Sequence, residues 1–339
     1  MAALRSIPAA ADLLKVLDAI YDVEQPRARW FTGVLEAFLG TFGRGSGVGG
    51  LLYDISATNG VGAELMKGLR IPPSWRQTGL EIHRDPRFIP EIVARYRVTL
   101  CATLPELFAD RSKFEAMQAD YYNRFSVRGQ IMVNGVDCSG KGCAIFLFSA
   151  LSLTLSDVER DLFCRLATHL ATGYRLQRKL DSGGADGQRD DVEAILTPTG
   201  HVEDAKTIAQ AAETRRCLSH AVQQRDRARH RQRDGARLVR ELKGLVEARW
   251  TLVDHYERGG KRYVLARENA PRPPGPAPLS EREQQVVALA AVGRTNKLIA
   301  YELGLAQPTV RVLMARACAK LGVKTRIELV ARQRSATSP

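Results

Sequence analysis

The sequence predicts a multidomain α+β protein: an α/β body first, a small α+β unit next, and an all-α four-helix domain at the end. Three observations lead there. The first 180 residues mix helically spaced apolar stripes with strand-sized apolar runs; residues 190–269 begin and finish in hairpin-like pairs; and Leu279 to Leu329 reads as four short helices with their own start and stop signals. At 339 residues and 45% hydrophobic content, the chain can bury more than one core.

The final segment is the most explicit. Ser280-Glu281-Arg282-Glu283 has the spacing at which a serine side chain caps the first turn and a glutamate reaches back to the serine's own amide. Val286, Val287, Leu289 and Ala290 follow as a helical apolar stripe, and Gly293 supplies the left-handed stop. Thr295 caps a second helix that turns Leu298, Ile299, Ala300 and Leu303 inward. Gly304-Leu305-Ala306 makes a three-residue turn, and Pro308 sits in the first turn of a third helix, where no backbone donor is needed. On that helix Val310, Leu313, Met314, Ala317 and Leu321 fall on one side. Arg311, Val312, Ala315 and Arg316 point away, which is the set a DNA major groove could meet. Thr325-Arg326-Ile327-Glu328 opens a fourth helix, with Leu329 and Val330 inward.

The run Leu279 to Glu283, Gly293, Asn296-Lys297, Ile299-Ala300, Leu303-Gly304, Thr309-Val310-Arg311 and Lys320-Leu321-Gly322-Val323 resembles the LuxR-type helix-turn-helix family. The resemblance covers the end of the chain only. It implies that the third helix lies in the major groove of double-stranded DNA, that the start of the second touches phosphate, and that the fourth can pair two protomers. By position, Arg311, Val312 and Ala315 become the base-facing residues, with Arg316 beside them. Asn296, Lys297, Gln307 and Thr309 become backbone-positioning residues, and Thr295, Lys320 and Lys324 complete the DNA-facing set. The family commonly has histidine or tyrosine two positions after Arg311, where this chain has Leu313, so one phosphate contact is not carried over.

The chemistry of these side chains agrees with the roles. An arginine at the start of a recognition helix can fork onto guanine O6 and N7, a pair worth about 1–3 kcal/mol of discrimination. Val312 and Ala315 offer only apolar contact. Part of the specificity must then come from DNA shape or from a second protomer. The bland alternative is a helical interaction module that never touches DNA.

Charge concentrates in two places. Leu279 to Pro339 carries ten Lys/Arg against four Asp/Glu, and Thr214 to Gly244 ten against three; together these account for the whole formal charge of +13. A polyanion would meet two basic patches on an otherwise balanced chain. In the second patch Arg225, Arg227, Arg229, Arg231 and Arg233 alternate at a spacing of two, which on a helix spreads charge around the axis. A solvated connecting segment is expected there rather than auxiliary phosphate binding.

Boundaries follow punctuation. Pro271, Pro273, Pro274, Pro276 and Pro278 make residues 270–278 a semi-extended spacer before the domain of residues 279–335, and Asp181 to Gln188 reads as a polar linker closing a first domain of residues 1–180. The first domain opens with helical patterns at Leu13 to Ile20 and Trp30 to Phe42. Strand-like runs follow at Gly50 to Ile55, Gln130 to Val136 and Cys143 to Ala150, with a turn at Cys138 to Gly142 between the last two. Ser156 to Glu159 caps a long helix whose Leu162, Leu166, His169, Gly173, Leu176 and Leu180 form a seam. That seam suits either a second copy or the chain's own sheet. Flanking helices around an antiparallel sheet, with a long exit helix, are similar to a GAF-type sensor. In residues 190–269, Val192 to Leu196, a turn at Pro198 to Gly200, arginine-rich helix, Arg249 to Tyr256, a Gly259-Gly260 turn and Arg262 to Ala266 look like a reduced PAS-type fold with a helical insert.

Several sites are tested and set aside. Gly45 to Gly50 has the letters of a dinucleotide fingerprint but precedes a strand instead of joining strand to helix. There is no phosphate-binding P-loop and no paired acidic residues of a phospho-accepting receiver. Trp30 and Trp75 do not fit the pattern by which quorum-sensing members hold acyl-homoserine lactones. Tyr53, Trp75 and Phe148 could line a pocket, but core packing is the plainer reading. The six cysteines are scattered without zinc spacing, so reduced thiols are expected, with no metal and no cofactor. The opening lacks a signal peptide and no apolar run reaches bilayer length, so a cytoplasmic protein without membrane contact is expected.

The expected function is a sequence-specific regulator of transcription, not an enzyme. A homodimer reads a two-fold site, acts on RNA polymerase indirectly, and responds through its sensor-like domains to a small-molecule effector. The alternative is a small-molecule-binding or enzymatic protein whose terminal helices serve protein or RNA contacts. No acid/base pair, nucleophile or catalytic residue supports it.

Overall fold

The computed structural model describes residues 7–43, 47–56, 60–137, 139–182, 192–206, 209–231, 234–243, 245–246, 249–256, 262–268, 279–323 and 325–337. Gly45, Ser46, Cys138, most of the 181–188 linker, Arg233, the Gly259-Gly260 turn, the proline segment 270–278 and Lys324 lie outside those residues. The chain divides into two compact units, Met1–Gly184 with Gln232–Val239, and Ala185–Arg231 with Arg240–Pro339.

In the first unit the order is α1 (Ala10–Tyr21), α2 (Arg27–Phe42), β1 (Val48–Asp54), β2 (Gly62–Leu69), α3 (Ser74–Ile82), α4 (Ile89–Val98), β3 (Cys101–Thr103), α5 (Arg111–Met117), β4 (Gly129–Val136), β5 (Lys141–Ser149) and α6 (Asp157–Ser182). The five strands form one antiparallel sheet in the order β2-β1-β5-β4-β3. Its central strands are covered on both faces, which is why β1, β4 and β5 read as nearly continuous apolar runs. Alternation sorts the residues. On β1, Leu51 and Tyr53 share a core with Trp75 and Tyr96, together with Met132 of β4 and Phe146 and Phe148 of β5. The opposite face meets α2 and α6.

Two glycines make that packing close. A methyl group on Gly49 would overlap the Trp75 indole, and one on Gly50 would overlap Phe31 and Leu35. Gly49 and Gly50 within β1 therefore serve close approach on both faces of the strand. On the long helix α6, Ser156 and Glu159 cap each other as expected, with Ser156 N donating to the Glu159 carboxylate at 2.7 Å. The seam residues Leu162, Leu166, His169, Leu176 and Leu180 are buried, His169 Nδ1 lies 2.7 Å from the Tyr21 hydroxyl, and Gly173 sits directly against Ile20. Of the two readings of that seam, burial within the chain is the one observed.

The second unit begins with β6 (Val192–Leu196), β7 (Val202–Ala205) and α7 (Ala212–Arg231); α8 (Gly235–Glu241) runs across the boundary, followed by β8 (Trp250–Tyr256) and β9 (Arg262–Glu268). The sheet is antiparallel with order β7-β6-β9-β8. Leu218 and Val222 of α7 pack on Leu196, Trp250, Leu252 and Val264. The arginine-rich helix is not uniformly solvated. Arg225 and Arg229, one turn apart, lie 3.0 and 2.7 Å from Asp254, and Arg262 approaches it at 3.2 Å. Burial pushes the Asp254 carboxyl up, but Arg225, Arg229 and Arg262 together hold it below its ordinary range. Arg227 stays exposed.

The chain ends in α9 (Glu281–Ala291), α10 (Asn296–Leu303), α11 (Gln307–Leu321) and α12 (Arg326–Thr337). No helix among the described residues is long and apolar enough to cross a membrane.

Candidate nucleic-acid interface

The last four helices are delimited by the local chemistry their sequence carries. Ser280 and Glu283 form a reciprocal capping box, and the Thr295 hydroxyl accepts from Leu298 N at the start of α10. Gly293, Gly304 and Gly322 all adopt positive φ, of 83°, 68° and 65°, at the three helix ends. Helix α9 packs on α11 and α12, and α10 crosses α11. The stripe Val310, Leu313, Met314 and Ala317 is buried, while Leu321 is only partly so. Leu313 therefore belongs to the core, consistent with the phosphate contact not carried over at that position.

The opposite side of α11 is open. Gln307, Thr309, Arg311, Val312, Ala315 and Arg316 are all exposed, and Val312 keeps 49% of its surface in solvent. Thr295 and Lys297 are exposed at the start of α10 and Asn296 is half-buried, its Oδ1 accepting from Arg326 Nη1 at 3.2 Å. Arg326 also donates to the Arg294 carbonyl, so α12 fixes the start of α10. Arg326 carried no expected role, and its place inside the second capping box was the signal available for it.

Lys320 is held within the domain. Its ammonium lies 2.7 Å from Glu283, a buried carboxylate that also accepts from Ser280 N. Burial raises the Glu283 carboxyl, but the bonds from Lys320 and from Ser280 outweigh that and lower it. Contact between Lys320 and a phosphate would compete with this pair.

Residues 277–332 match the family model for bacterial regulatory proteins of the luxR family. These residues form a LuxR-type helix-turn-helix domain. A second comparison agrees: a stretch of 51 residues is 47% identical to a Bacillus subtilis (strain 168) protein described as "Uncharacterized transcriptional regulatory protein YvfU". The match covers 15% of this chain and 26% of that protein, so the likeness concerns a short segment of each.

The LuxR-type domain is seated on the rest of its unit through α10 and the turn that follows it. The buried Tyr301 hydroxyl donates to the Leu242 carbonyl at 2.7 Å, and Gly304 lies against the Leu245 backbone so closely that a methyl group there would overlap the carbonyl oxygen.

A second candidate site lies in the first unit. A cavity of about 50 Å³ opens on the α3 and α4 side of the sheet, between Trp75 and His83 of that side and Gln130, Met132 and Phe146 of the strands. This is several times the roughly 10–15 Å³ that one water requires. Trp75 lines it, whereas Tyr53 and Phe148 stay in the adjoining core. His83 Nδ1 lies 2.6 Å from the Gly79 carbonyl and Nε2 lies 2.8 Å from the Tyr96 hydroxyl. Burial lowers the His83 pKa, which favours the neutral ring; Nδ1 then donates to the carbonyl and Tyr96 donates to Nε2. The polar Gln130 within the apolar run of β4 was the sequence signal for this site. Among the described residues no group of three or more His, Cys, Asp or Glu is arranged to hold a metal ion.

Proposed function

We propose that this chain is a sequence-specific, double-stranded-DNA-binding regulator of transcription. The observation that carries the reading is the exposed face of α11, where Arg311, Arg316, Gln307 and Thr309 surround Val312 and Ala315 within a LuxR-type domain. Arg311, Val312 and Ala315 face bases; Thr309, Gln307, Asn296, Lys297 and Thr295 position the backbone, with Arg316, Lys320 and Lys324 adding positive charge along the phosphates. A homodimer presents two such helices to a two-fold site, and the exposed Ile327 at the start of α12 belongs to the pairing surface.

The regulator has three working parts: residues 1–180 as a GAF-like sensor, residues 190–269 as a PAS-like unit, and residues 279–335 as the reader after the proline spacer. A small molecule in the first part changes how the reader is presented, and polymerase is affected indirectly. Selection of bound sequences from a random duplex pool, with the full chain and with Arg311→Ala, tests this. A paired motif that blurs at one position per half-site in the variant is expected. Failure of both the full chain and residues 277–339 to enrich any sequence would refute DNA reading.

A further inference from the structure

The cavity of the first unit has a composition more specific than a packing defect. Its walls are aromatic and aliphatic, with Trp75, Phe146 and Met132 among them, and such walls hold a small apolar body. Besides His83, Tyr96 and Tyr122, whose polar groups are already hydrogen-bonded, two donors break the apolar lining. Arg95 on α4 is anchored through Nε to the Leu107 carbonyl at 3.1 Å, which leaves its terminal nitrogens without an ion-pair partner among the described residues. Gln130, only 2% exposed, accepts from the Tyr122 hydroxyl at 2.7 Å through one end of its amide, and the other end has no described partner.

A half-buried guanidinium with no carboxylate beside it among the described residues can take an anion that enters the cavity. Arginine's fork of donors matches a carboxylate, and its fixed Nε keeps that fork oriented. The remaining amide end of Gln130 supplies a second neutral donor. The histidine of the same wall is occupied on both nitrogens by Gly79 and Tyr96, so it does not compete for the ligand's charge. Among the described residues no lysine or second arginine lines the space, which suits a single negative charge rather than a phosphate or a dicarboxylate.

We infer that this cavity binds a small monocarboxylate with a short apolar chain, whose acid group pairs with Arg95 and Gln130 while its chain lies among Trp75, Met132 and Phe146. The inference rests on the reading of the first unit as the effector-binding part. It adds the chemical class of the effector and the residue that selects it.

Calorimetric titration of the full-length protein with propionate, butyrate and isobutyrate, and with the matching amides, tests it. At least one acid is expected to bind, and its amide to bind about tenfold or more weakly, because a charge-assisted bond is lost. Arg95→Met should remove that preference by weakening the acid and sparing the amide, and Arg95→Lys should restore part of it. Equal binding of acid and amide, an acid affinity unmoved in Arg95→Met, or no acid binding at all would overturn the inference. Duplex affinity measured with and without the bound acid separates the two readings. An acid that binds through Arg95 without changing duplex affinity keeps the site and removes only its regulatory use.

Discussion

Tyr301 and Leu242, 59 residues apart in sequence, are joined by a buried hydrogen bond of 2.7 Å from the phenol to the backbone carbonyl. It ties the second helix of the reader to the segment that follows α8. Tyr301→Phe keeps the ring and removes the donor, leaving a buried carbonyl with one partner fewer. Chemical unfolding should show a loss of about 1–3 kcal/mol. An unchanged midpoint would mean that water replaces the phenol there.

Gly304 and Gly322 share nearly the same left-handed backbone, yet only Gly304 faces a wall. Gly322→Ala meets open space and should cost about 1–2 kcal/mol for the conformation alone. Gly304→Ala adds a clash with the Leu245 carbonyl and should cost about 1–3 kcal/mol more. Thermal melts of both variants check the difference; equal losses would argue that the Leu245 segment moves aside freely.

The acid dependence of the reader should run through Glu283. Its carboxyl is lower in the folded chain than the ordinary 4.5, so its contribution is complete above that value and is lost as pH falls through the lowered one. Lys320→Met moves the folded pKa back toward 4.5. The variant should be less stable at neutral pH and lose less on acidification, read as a narrower gap between urea midpoints at neutral and acid pH. A gap as wide as the parent's would place the acid dependence elsewhere.

Asp254 is the counterion of a buried arginine group. Asp254→Asn leaves Arg225, Arg229 and Arg262 facing one another without it, and breaking such a pair costs about 3–5 kcal/mol. Denaturant titration should show this as loss of the second sheet's stability. A near-neutral result would indicate that the three arginines reach solvent on rearrangement.

Exposure on the reader predicts two kinds of loss. Arg311→Ala should relax base preference, whereas Lys297→Ala should weaken all duplexes and reduce the salt slope by about one. Binding isotherms on selected and random duplexes at several salt concentrations distinguish them, and equal losses on both duplexes for both variants would reverse the assignment.

What could be read in advance followed from how local the signals were. Ser280, Thr295, Gly293 and Pro308 act within one turn of themselves, so the reader's helices emerge from the sequence nearly residue by residue. Strands β1, β4 and β5 were legible as apolar runs because both their faces are buried. Strand β2 was not, since its exposed first half, Gly62 to Glu64, lacks an apolar pattern. The arginines of α7 misled for a related reason. Their spacing describes the helix surface, but whether Arg225 and Arg229 face water depends on Asp254, which comes from a strand 29 and 25 residues later, respectively. The cavity was least legible: Arg95 and Gln130 meet only because α4 and β4 enclose one space, while Trp75 announced itself by size alone.

The close seating of the Trp75 indole on Gly49 has a spectroscopic consequence. Of the three tryptophans, Trp30 and Trp250 are each 2% exposed and buried in cores apart from the cavity, while Trp75 borders it. With Trp30 and Trp250 replaced by phenylalanine, the remaining indole emission would come from one wall of the cavity. The chain thus carries its own optical probe, in which a shift in wavelength or a quench reports occupancy without a label.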